Sequence, residues 1–198
     1  MLDFAPENEW KWTSLKDQVE GYWQVNIQSI SVEGIKVLQG ISKVILDVSS
    51  GMIAGPGEMV EVIWSVVQGA RRLWEVVDED DNTEGGWWKE RDGEKGEWWV
   101  FPCLNEPMIK IEFAGWGFPV EKIGLGRVAE GSGYCVGGIV GWPRGEKEDE
   151  ERVWVLGQPY WAGIVGVFDV SFSVLVRNGR SLVTNITVMG SLRREKWG

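Results

Sequence analysis

The chain has 198 residues and a formal net charge of −10, enough length for one domain or one large lobe with a buried core. An acidic chain repels phosphates and no apolar run is long enough to span a bilayer, which argues against nucleic acid and membranes as partners. There is no histidine, and the only cysteines are Cys103 and Cys135. Ser-His and Cys-His nucleophiles, imidazole bases and nearly all zinc chemistry are therefore removed, so no metal or cofactor is expected and any catalysis falls to carboxylates.

With 14 Trp and 27 Gly, the composition reads as β-rich and turn-rich. Residues 1–20 are polar with scattered aromatics (Phe4, Trp10, Trp12) and read as a lead-in segment; neither a basic nor an apolar signal-peptide region is visible there. Tyr22, Trp23, Val25, Ile27 and Ile30 alternate well enough for a strand over Gly21 to Val32. Glu33-Gly34 then supplies a turn, and the strand from Ile35 to Leu38 returns as the second arm of a hairpin.

The next stretch organises the rest. Val44-Ile-Leu46 is an apolar strand that delivers Asp47 into a turn of small residues, Ser49-Ser50-Gly51. Local backbone N–H groups can hold such a carboxylate in place for acid/base work; an ordinary strand-end Asp turning with Ser49 and Ser50 fits the residues as well. Gly55-Pro56 opens a helical pattern, with Met59, Val60, Ile63, Trp64, Val67 and Leu73 at helical spacing from Gly57 to Trp74.

Asp78 to Glu97 is acidic and Gly-rich around Trp87-Trp88 and reads as a surface hairpin or long loop. Trp98 to Phe101 reads as a strand with one Trp of the Trp98-Trp99 pair facing in and the other out. Pro107 to Phe113 and Phe118 to Val120 pair across the turn Gly115-Trp-Gly117, and Cys135 to Val140 forms a further short strand. A second charged loop spans Gly145 to Arg152. Val153 to Gly157 leads through a turn to Ile164–Asp169, and residues 170–190 alternate as a terminal strand pair before a basic tail at 191–198. Cys103 and Cys135 bracket a strand-turn-strand segment; one disulfide, implying an oxidising compartment, and two buried thiols are equally compatible with it. Asn185-Ile-Thr187 is a glycosylation sequon.

Taken in order, these landmarks resemble the C-terminal lobe of the pepsin-like aspartic peptidases. Leu46-Asp-Val-Ser-Ser-Gly-Met-Ile-Ala-Gly-Pro56 is similar to the family's hydrophobic-Asp-Thr-Gly-Thr/Ser loop closing in Gly-Pro. Cys103 and Cys135 flank Pro107-Met-Ile-Lys-Ile-Glu-Phe113 and Phe118-Pro-Val120 much as the family's disulfide flanks its strands. Val153-Trp-Val-Leu-Gly157 and Gly166-Val-Phe-Asp169 resemble its Trp-Ile-Leu-Gly-Asp and Thr-Val-Phe-Asp block, and the likeness covers roughly residues 12 to 170.

The resemblance implies an all-β fold with one or two short helices, a single lobe of the bilobal acid-protease fold over residues 21–190. It implies Asp47 as the catalytic residue of that lobe, Ser50 as the hydroxyl that bonds it, and Val155, Leu156 and Gly157 as the element beneath the loop. It also implies a Cys103–Cys135 disulfide, a peptide or protein substrate and a secreted or vacuolar location. Val48 and Ser49 depart from the family's Thr and Gly, and Gln158 stands where it often has Asp.

One lobe holds one carboxylate, whereas the paired mechanism needs two. The missing lobe is expected from an N-terminal partner lobe, or a homodimer is expected in which each copy supplies Asp47. A non-catalytic lobe that binds peptides or proteins through its aromatic residues is the alternative from another class. A lipocalin-like barrel, suggested by Gly21-Tyr-Trp23, ranks below because the helical pattern follows Pro56 too early.

Overall fold

The computed structural model describes residues 11–14, 23–77, 97–113, 115–142, 153–162, 164–169, 175–177, 180–182 and 186–191. The expected acidic segment up to residue 96, the second charged loop, the Trp87-Trp88 pair, the glycosylation site's Asn185 and the basic tail beyond Ser191 lie outside them.

Within the expected lead-in, Lys11–Ser14 forms a strand (β1). The hairpin is present as β2 (Gln24–Val32) and β3 (Ile35–Leu46). Glu33 and Gly34 both have positive φ, 51° and 81°, the handedness a two-residue hairpin turn needs. The arm from Ile35 and the strand into Asp47 are one strand, not two. Its register shifts between Val25↔Val44 and Ile27↔Ile41, and Lys43 takes a left-handed φ of 64° at this bulge.

β4 (Ile53–Pro56) runs directly into α1 (Gly57–Ser65). Val60, Ile63 and Trp64 form its buried face, as the spacing predicts. The helix stops well short of Trp74. Gly69, with φ 79°, turns the chain, and Arg71–Arg72 becomes β5, followed by a 3-10 turn at Leu73–Glu75. Apolar periodicity continues past Ser65 because Val67 and Leu73 are still buried, now from a bend and from the 3-10 turn.

The middle of the chain supplies β6 (Trp99–Pro102), β7 (Ile109–Phe113), β8 (Trp116–Val120), β9 (Gly124–Arg127), β10 (Tyr134–Gly137) and β11 (Ile139–Trp142). The single strand expected over Cys135 to Val140 is thus broken at Gly138. After β12 (Trp154–Leu156) comes a short helix, α2 (Gln158–Trp161), where a turn was expected. The chain then forms β13 (Ile164–Asp169), β14 (Leu175–Arg177), β15 (Arg180–Leu182) and β16 (Ile186–Ser191). β16 lies between β1 and β13, and β14 pairs with β15.

The largest sheet has seven strands in the order β11-β4-β12-β3-β2-β7-β8. Within it β12 is parallel to β3 and antiparallel to β4, and β11 is parallel to β4. A strand from late in the chain is therefore inserted between β3 and β4, whose connecting loop carries Asp47. An up-and-down barrel has no parallel neighbours; this sheet has two such pairs.

Trp64 sits at the centre of the core, 6.4 Å from the Trp99 ring and 5.9 Å from that of Phe101. Its Nε1 donates to the Ile139 carbonyl at 3.0 Å, so its polar atom is satisfied. Gly137 lies against this ring, where a Cβ would overlap it. The Trp98-Trp99 pair splits, though not between core and solvent. Trp99 joins the main core, while Trp98 packs partly buried on a second cluster around Leu73, Val100, Val128 and Val136.

Candidate active site

The loop after β3 is clamped from below by backbone alone. Asp47 N donates to the Leu156 carbonyl at 3.1 Å, and Gln158 N donates to the Ser50 carbonyl at 2.7 Å. Between these bonds lies Gly157. A Cβ there would collide with the carbonyl oxygens of Ser50 and Met52 and come within 2.9 Å of the Ser50 Cβ, so only glycine allows the approach. Leu156 is fully buried and aligns with Leu46, while Val155 is shared between Ile45 and Ala54. The structure thus brings Val155, Leu156 and Gly157 together beneath Asp47.

The hydroxyl that reaches Asp47 belongs to Ser49. Ser49 N and Oγ donate to Asp47 Oδ1 at 2.9 and 2.6 Å. Ser50 Oγ instead donates to the Met52 carbonyl at 2.9 Å and accepts from Met52 N at 3.4 Å, so its hydroxyl braces the loop and does not bond the carboxylate. The Ser49 hydroxyl, then the Ser49 backbone N–H, and more weakly that of Ser50 hold the Asp47 carboxyl below the usual aspartate range, against a small opposing effect of burial. Among the described residues, no second carboxylate contributes to this shift. Val48, at the tip, is 60% exposed.

Cys103 and Cys135 form a disulfide with Cα atoms 5.0 Å apart, tying the turn after β6 to β10. A disulfide fits an oxidising compartment. Among the described residues, no group of three or more His, Cys, Asp or Glu side chains could hold a metal. No helix there is long and apolar enough to cross a membrane.

Several contributors escape sequence reasoning. Ser49 stands where the resembled motif has glycine, so its bond to Asp47 carries no motif signal. The Arg72 guanidinium lies 4.2 Å over the Trp99 ring and pairs with Glu97 at 2.7 Å and Glu61 at 3.3 Å. This knot ties α1, β5 and β6 together, and nothing in local pattern announces it.

A carboxylate on a crossed loop between β3 and β4, with a hydrophobic-hydrophobic-Gly strand end threaded beneath it, defines an acid-protease lobe. The family model for eukaryotic aspartyl proteases matches residues 7–175, and the chain belongs to that family. It is 26% identical over 153 residues to an aspartic protease of Phaffia rhodozyma, covering 76% of this chain and 33% of that protein. Its fold is similar to basic 7S globulin from soybean (TM-score 0.54, 12% identity, 93% of this chain and 45% of that one). It is likewise similar to conglutin gamma, a basic 7S globulin of lupine seeds (TM-score 0.58, 13% identity, 93% and 41%). The chain thus spans about a third of the yeast protease and under half of each globulin.

Proposed function

We propose that this chain is the C-terminal lobe of an aspartic endopeptidase and that by itself it does not cleave peptides. The observation that carries this reading is Asp47, held on the crossed loop with, among the described residues, no other carboxylate shifting its pKa. Peptide hydrolysis by this class needs two carboxylates sharing a proton: one takes a proton from the attacking water while the other polarises the scissile carbonyl. Asp47, its charge favoured by Ser49, can supply one of these groups. The second comes from an N-terminal lobe or from Asp47 of a second copy, and the groove between the two lobes takes the peptide. The disulfide and the family support a secreted or vacuolar setting.

The test is digestion of an unfolded protein substrate across about pH 3 to 7, the range in which coupled carboxylates commonly titrate. The chain and its Asp47→Asn variant are run side by side, with solution mass measured by ultracentrifugation. The expected result is a monomer with no cleavage. Cleavage that Asp47→Asn abolishes, from a species of twice the chain mass, would replace the incomplete-lobe reading with a self-paired peptidase. Cleavage unaffected by Asp47→Asn would remove Asp47 from the chemistry.

A further inference from the structure

Beside the Asp47 loop lies an open cavity of about 470 Å³ whose wall includes Gly51, Lys122, Gly124, Gln158 and Trp161. Two of these belong to the site already described. Gly51 follows Ser50 on the loop, and Gln158 is the residue whose N–H clamps it. Lys122 lies just before β9, Gly124 opens that strand and Trp161 ends α2. The Trp161 ring is set in place by its Nε1, which donates to the Leu156 carbonyl at 2.9 Å, and by an edge contact with Tyr160 at 5.2 Å.

Among the described residues of this wall, Lys122 is the only cation. In a chain of net charge −10 an intramolecular partner would be easy to find, yet among the described residues none forms an ion pair with it. The carboxylate close by, Glu106, is engaged elsewhere: its Oε1 accepts the N–H groups of Ile123 and Gly124, both at 3.0 Å. The wall thus carries one cation that forms no ion pair among the described residues, one amide side chain and one aromatic ring, adjoining the loop that presents Asp47.

We propose that this cavity is a specificity site for an acidic residue of a bound peptide. The Glu or Asp carboxylate pairs with Lys122 and accepts from the Gln158 amide, while its methylenes lie against Trp161. The proposal rests on the peptide-binding reading of the Asp47 loop, but it concerns binding and does not require cleavage.

The test uses the full chain and three pools of eight-residue peptides, random except for one fixed position that is Glu, Gln or Lys. Backbone and indole resonances of Gly51, Lys122, Gly124 and Trp161 are followed by NMR during titration. At moderate salt the Glu pool is expected to shift these signals at about fivefold lower concentration than the Gln pool, the size of a partly exposed charge pair. Lys122→Gln, an exposed position, should erase that preference, and Lys122→Glu should transfer it to the Lys pool. Equal response to the Glu and Gln pools, a Glu preference that survives Lys122→Gln, or no shift at these residues overturns the proposal. Shifts confined to Val48 and Ser49 would sink the acidic-residue site while leaving peptide binding at the loop. Shifts at Lys122 and Trp161 from a chain that never cleaves, even with a partner lobe, would uphold the site and remove the peptidase reading.

Discussion

Ser49 favours the charged form of Asp47 through two hydrogen bonds to one oxygen. Ser49→Ala removes the shorter of them and should raise the Asp47 pKa toward the ordinary aspartate value, as read from the carboxyl carbon shift in an NMR pH titration. Ser50→Ala leaves both bonds to that oxygen in place and should move the pKa less; equal shifts from the two variants would mean that Ser49 has no special hold. Gly157 is the second decisive residue. Gly157→Ala forces a methyl against the Ser50 and Met52 carbonyls and should cost at least the ~1–3 kcal/mol of ordinary overpacking. Urea denaturation measures this, and a loss under about 0.5 kcal/mol, the range of a neutral surface change, would show that the loop can rise to make room. Val48→Thr, at a 60% exposed tip, should stay within that neutral range in the isolated lobe.

At the scale of elements, the Cys103–Cys135 bridge closes a loop with a sequence separation of 32 residues. Loop-closure entropy for that length predicts about 3–4 kcal/mol lost on reduction or in the double Ser variant. Denaturant midpoints with and without reductant test this, and unchanged midpoints would mean that the rest of the sheet constrains the loop unaided. The α1 packing makes a sharper case. Trp64 fills the space between Trp99, Phe101 and the bare backbone of Gly137. Trp64→Ala should cost about 3–5 kcal/mol and leave the Ile139 carbonyl without its partner. Both the start of α1 and its buried face were readable from the spacing after Pro56. Its end was not, because Val67 and Leu73 stay buried on either side of the turn at Gly69, beyond the end of the helix.

For the molecule as a whole, acidification is the relevant stress. Asp47 and Glu112 both have lowered pKa values, Glu112 chiefly through its bond to Lys36 at 2.8 Å and then through Ser29 at 2.6 Å. A depressed folded-state pKa means that the unfolded chain binds protons first. The stabilisation is therefore complete above the ordinary carboxylate range and is lost as pH falls through the folded values. Stability should decline below about pH 5, and the Asp47→Asn, Glu112→Gln double variant should show a shallower decline in thermal melts run across pH. An identical slope would place the acid sensitivity in other carboxylates.

By itself the sequence determined what local periodicity and residue chemistry can express: the Glu33-Gly34 hairpin, the helix beginning after Pro56, the strands around Ile111 and Phe118, and an aspartate delivered into a small-residue turn. The absence of histidine left carboxylates to carry any catalysis. Local patterns report which side of a segment is buried, but not what is buried against it. Only the tertiary structure could place β12, more than a hundred residues downstream of Asp47, between β3 and β4. It also passed the carboxylate's hydroxyl partner from Ser50 to Ser49 and set Lys122 and Trp161 beside the same loop. Those outcomes depend on contacts between distant segments, which form only when the whole core closes and carry no signature within any one stretch of chain.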